Sequence, residues 1–117
     1  MSVALTFYTL LCVLGIAIGQ LLFRKAALAM HGAWSVPALL GNGWFMASLV
    51  LYGLTTLAWV WILRQAPLHL AYPFMGLAFL LVPALAWLFL GEPLHWRTLA
   101  GGALIMLGVA LAAAPTD

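Results

Sequence analysis

Apolar residues fill four long runs of this chain, at residues 3–23, 44–63, 70–90 and 98–114, with short polar stretches between them. The polar residues inside each run are isolated and uncharged, so a helix built on any run is apolar nearly all round, as a helix in lipid is. Crossing a hydrocarbon core of about 30 Å takes roughly 20 helical residues, and without water to satisfy the backbone only helices or closed barrels can cross it. The pattern predicts an all-α membrane protein, one domain over residues 1–117 with four transmembrane helices. Charge, proline or glycine bounds each run: Arg64 ends the second, "GEPLHWR" (91–97) divides third from fourth, and "PTD" closes the chain.

The joints are informative. "RQAPLH" (64–69) is so short that the second and third helices must be antiparallel neighbours. "HGAWSVPALLGNG" (31–43) is longer, and Pro37, Gly41 and Gly43 argue against one continuous helix; "VPALL" forms either a first turn of the second helix or a segment lying at the interface. Arg24, Lys25 and Arg97 fall on the side of the odd-numbered joints and Arg64 on the other, which by the positive-inside rule places both termini outside. The first run lacks a positively charged start and its cations follow it, so it reads as a retained span and not as a cleaved signal.

Composition excludes most other classes. A chain that is 68% hydrophobic and 5% charged is no soluble domain. Four Lys and Arg against two Asp and Glu are too sparse for a nucleic-acid face, and such cations mark membrane boundaries or meet anionic lipid. Cys12 is the single cysteine, which rules out an internal disulfide or a cysteine zinc site. No catalytic triad, metal-ligand spacing or phosphate-binding loop is present, so no catalytic residue, metal, cofactor or covalent chemistry is expected.

Helical spacing then sorts the polar and small residues into faces. Ser48, Tyr52, Thr55, Thr56 and Trp59 share one stripe of the second helix, which must face protein or a watery cavity: either the hydroxyls bond between helices, or the stripe walls a passage. Trp44 and Trp61, near span ends, are expected interface anchors. In the third helix Pro73 lies in the first turn, Pro83 is placed to kink the helix, and Tyr72, Met75, Gly76 and Phe79 share a face that suits core packing or a ligand. Gly101, Gly108 and Ala112, with Gly102 beside them, make the fourth helix a candidate dimer seam, and Gly15 and Gly19 offer a second close-packing site. Ile16, Gln20 and Arg24 form one stripe of the first helix, with Lys25 beside it at the membrane boundary. Read alone, the two cations snorkel and fix orientation, or the guanidinium grips a lipid phosphate at headgroup depth.

The pieces "GQLLFRKAA" (19–27), "LAYPF" (70–74), "LGEPL" (90–94) and "AGGALIMLGV" (100–109), in this order, resemble the small four-helix members of the drug/metabolite transporter superfamily. The resemblance covers nearly the whole chain and implies a small-multidrug-resistance-like fold functional as a dimer, with itself or with a similar small subunit, in a bacterial inner membrane. The small multidrug resistance branch exchanges protons for cationic drugs on a carboxylate in its first helix, where this chain has Ile16; its two acids are Glu92, at a joint, and Asp117, at the terminus. "GQ" followed by basic residues and the long first joint look instead like the branch that flips aminoarabinose linked to undecaprenyl phosphate. That resemblance implies a transporter moving a lipid-linked anionic substrate, a polyprenyl-phosphate sugar, between leaflets. Arg24 and Lys25 would then bind phosphate, Gln20 and Tyr72 the head group, and Tyr52, Thr56 and Trp59 would line the passage. The alternatives are an exporter of small hydrophobic or cationic compounds and a non-transporting subunit of a larger membrane complex.

Overall fold

The structure, a computed structural model, describes residues 2–32 and 34–114. Among these, all regular structure is helical, in the order α1 (Val3–Ala29), α2 (Val36–Leu40), α3 (Gly43–Leu63), α4 (Leu68–Leu90) and α5 (Trp96–Ala113). Helices α1, α3 and α4 are long and apolar enough to cross a membrane, and α5 is a shorter apolar helix. The last acid, Asp117, lies outside the described residues.

Helix α1 starts where the Ser2 hydroxyl accepts a hydrogen bond from the Leu5 N–H, 3.1 Å away. It continues through "RKAALA" to Ala29, past the expected span end at residue 23, because these are strong helix formers with no breaker among them. Arg24 and Lys25 therefore ride on rigid helix and not on a loop. "VPALL" is a separate short helix, α2, capped by Ser35, whose hydroxyl accepts from the Ala38 N–H. Asn42 joins the two ends of this joint: its Oδ1 accepts from the Trp44 and Phe45 N–H groups, capping α3, while its Nδ2 donates to the Ala26 carbonyl of α1 at 2.8 Å.

Helix α1 is central, packing against α3 on one side and α4 on the other, with α5 applied chiefly to α4. The result is a flat slab, 54 × 36 × 20 Å. Edge-on contact of Tyr8 with Trp61 at one end of the α1–α3 pair and packing of Phe23 on Phe45 at the other make these helices antiparallel. The interface is close because Gly15 has no side chain: a Cβ there would stand 2.9 Å from Thr55 Oγ1. Thr9, Val13 and Ala17 of α1 and Ser48 and Ile62 of α3 are fully buried. The outward faces, with residues such as Leu57, Leu88 and Leu111, are apolar and exposed, as lipid contact requires.

Helix α4 departs from ideal geometry at both of its prolines. Tyr72–Leu77, which contains Pro73, tightens to 3₁₀ pitch, and the last turn, Ala86–Leu90, widens to π pitch after Pro83. Pro83 has no N–H to give the carbonyl of Phe79, and that carbonyl faces α5, 3.7 Å from where a Cβ on Gly102 would sit. The chain leaves α4 through Gly91 at φ 70°, where the N–H groups of Gly91 and Glu92 both reach back to the Ala86 carbonyl. Pro93 lies in the non-helical stretch that follows, before α5 begins at Trp96. Gly91→Ala places a Cβ in this left-handed conformation and is expected to lower stability by about 1 kcal/mol, measured by thermal unfolding in detergent.

Candidate functional site

Helices α1 and α4 run in the same direction, and between them a groove of about 370 Å³ is lined by Ile16 and Gln20 of α1 and Ala78, Phe79, Val82 and Pro83 of α4. Its walls are apolar except for the Gln20 amide. Arg24 lies one helical turn beyond Gln20, its Nε 3.4 Å from Glu92 Oε1. Both side chains are partly exposed, 52% and 39%, and an ion pair of that kind is worth only ~0.2–1 kcal/mol. Lys25 turns the other way, its ammonium 4.6 Å above the Trp44 ring at the start of α3.

Deeper in the slab Tyr52, Thr56 and Trp59 line a small cavity of about 180 Å³, together with Ile16, Thr55 and Met75. The hydroxyls of the α3 stripe do not bond between helices: Ser48, Thr55 and Thr56 each donate to the carbonyl four residues back, at 2.8 Å. Ser48 and Thr55 are buried against α1 and serve packing, whereas Tyr52 and Thr56 remain exposed. Trp59 is half-buried and also packs on the apolar cluster around Leu5, Cys12 and Ile62. Tyr72 stands in a third groove, between α4 and α5, with Met75, Gly76, Phe79, Gly108 and Val109, so the face that spacing predicted on the third helix is formed.

The seven expected substrate residues thus do not form one cluster; five of them divide among three separate spaces, and Arg24 and Lys25 lie beyond these. Gln20 lines the α1–α4 groove, Arg24 lies a turn beyond it against Glu92, Lys25 faces Trp44, and Tyr52, Thr56 and Trp59 line the cavity that shares Ile16 with the groove. Phe79 lines both the α1–α4 groove and the groove that holds Tyr72, and Met75 lines both that groove and the small cavity. The residue that sequence reasoning passed over is Glu92. Its signal was present, since "LGEPL" combines a helix-ending glycine with a chain-stiffening proline on either side of one carboxylate. What spacing could not give is the direction in which that turn sends the carboxylate.

The arrangement defines a class: a small helical membrane protein with apolar grooves between its helices and an ion pair at a helix end. Relatives make the class specific. The chain is 40% identical over 98 residues to a protein of Serratia proteamaculans named "Probable 4-amino-4-deoxy-L-arabinose-phosphoundecaprenol flippase subunit ArnE", covering 80% of this chain and 81% of the relative. Proteins of the same name from Yersinia pestis (strain Pestoides F) and Sodalis glossinidius are 37% and 39% identical, covering 80% and 78% of this chain and 82% and 80% of theirs. No family model and no solved structure matches. The chain belongs to this ArnE family of flippase subunits and is an integral protein of the bacterial inner membrane.

Proposed function

We propose that the chain is one subunit of a flippase that moves a polyprenyl-phosphate-linked sugar between leaflets, and that it does no covalent chemistry. The observation that carries this reading is the groove between α1 and α4, which contains Gln20 with Arg24 one helical turn beyond it, in a chain whose relatives are named for a phosphoundecaprenol-linked sugar. Residues 3–23, 44–63, 70–90 and 98–114 cross the bilayer as four spans. Arg24 takes the phosphate with a planar, always charged guanidinium, Lys25 adds positive potential beside it, and Gln20 hydrogen-bonds the sugar as it enters. Tyr52, Thr56 and Trp59 line the passage, and Tyr72 meets the head group on the far side of Met75. The polyprenyl tail stays in lipid, because the groove is open along its length.

A slab 20 Å thick leaves the α4–α5 groove without a wall, so the passage is completed by a second small subunit, either a copy of this chain or a similar one. Exchange of protons for cationic drugs is disfavoured by Ile16, which stands at the junction of the groove and the cavity, where such exchange needs an ionisable group. The test uses vesicles containing the chain with the small subunit that copurifies with it, and a fluorescent polyprenyl-phosphate aminoarabinose placed in one leaflet. Transfer of the label to the other leaflet is the expected result. Drug-driven proton flux without lipid transfer overturns the assignment.

A further inference from the structure

We infer that Glu92 recognises an ammonium group on the lipid-linked sugar, by exchanging its contact with Arg24 for one with the substrate. The inference rests on the flippase reading above and adds the chemistry by which its site selects a head group. Glu92 and Arg24 are 3.4 Å apart, and both are partly exposed, so their pairing is weak and readily exchanged. The backbone around Glu92 is fixed by Gly91 in the left-handed conformation, by the bonds to the Ala86 carbonyl and by Pro93, and its partly exposed carboxylate faces Arg24 of α1.

Charge balance supplies the rest of the argument. A phosphate that binds Arg24 must arrive beside Glu92, and two anions at that distance repel each other. If the sugar carries an ammonium, the phosphate pairs with Arg24, the ammonium pairs with Glu92, and one ion pair becomes two with no charge left over. If the sugar is uncharged, the same step strands Glu92 beside the phosphate. Glu92 therefore favours zwitterionic head groups and rejects phosphate-linked neutral sugars, a selectivity that comes from repulsion as much as from attraction.

The probes are two synthetic polyprenyl-phosphate arabinoses that differ only in the amine, one free and one N-acetylated, offered at equal concentration to the full chain with its copurified subunit. Native mass spectrometry reads the ratio retained. Wild type is expected to favour the free amine about tenfold, the discrimination given by one charge-assisted hydrogen bond, and Glu92→Gln to bring the ratio near one. Glu92→Asp keeps the charge and retains a preference, which separates loss of charge from loss of fold. An unchanged ratio in Glu92→Gln, or equal retention of both lipids by wild type, overturns the inference alone. Retention of neither lipid by wild type overturns the flippase reading with it.

Discussion

Replacing Arg24 with alanine is expected to reduce transfer of a polyprenyl-phosphate sugar between leaflets about a hundredfold, roughly 3 kcal/mol, the loss of the charge-assisted bonds a guanidinium makes to phosphate. Two effects add in that variant. The phosphate loses its partner, and Glu92, released from a contact of 3.4 Å, is left as an unbalanced negative charge. Arg24→Lys keeps the charge but not the planar fork and should recover part of the rate. Arg24→Ala combined with Glu92→Gln removes the repulsion without restoring the partner and should transfer better than Arg24→Ala but far below wild type. A leaflet-transfer assay on reconstituted protein measures all of these. Wild-type transfer by Arg24→Ala would mean that the cation only anchors the helix at the membrane surface.

Much of the architecture was legible because lipid makes pattern decisive. Where backbone groups cannot turn to water, long apolar runs must be helices, and the runs beginning at Val3, Trp44 and Leu70 coincide with α1, α3 and α4 to within a few residues at most ends. Spacing placed Tyr72, Met75, Gly76 and Phe79 on one face, and they line one groove. Spacing was less informative about hydroxyls. Ser48, Thr55 and Thr56 share a stripe, yet each satisfies itself on its own helix, an option equally open to a buried packing residue and to a cavity wall. The Arg24–Glu92 contact joins residues far apart in sequence through a turn whose direction depends on Gly91 adopting positive φ and on the widened helical turn before it. Neither feature has a periodicity to read. Asn42 is a similar case: a cap before a helix is a sequence signal, but its second bond, to the Ala26 carbonyl, depends on where α1 ends.

The glycines of α5 divide by face, and the division predicts opposite results for neighbouring substitutions. A Cβ on Gly102 would collide with Leu80 of α4, and a Cβ on Gly76 with Val109 of α5, so these two glycines set the distance between helices that have little else to hold them. Gly102→Leu or Gly76→Leu is expected to cost about 3 kcal/mol, at the upper end for overpacking, since α5 packs chiefly on α4, and lipid transfer should be lost with it. Gly101 and Gly108 are seven residues apart on one face of the same helix and have open space where a Cβ would go. Leucine at either position leaves the fold of the single chain within about 0.5 kcal/mol of wild type. If the second subunit seats on that face, the same leucines separate the subunits, because close approach of helices in lipid depends on small residues. Thermal unfolding in detergent and the subunit stoichiometry from native mass spectrometry, measured on both pairs of variants, tell the two faces apart. Loss of fold in Gly101→Leu, or an intact α4–α5 pair in Gly102→Leu, would place the internal contact on the wrong side of α5.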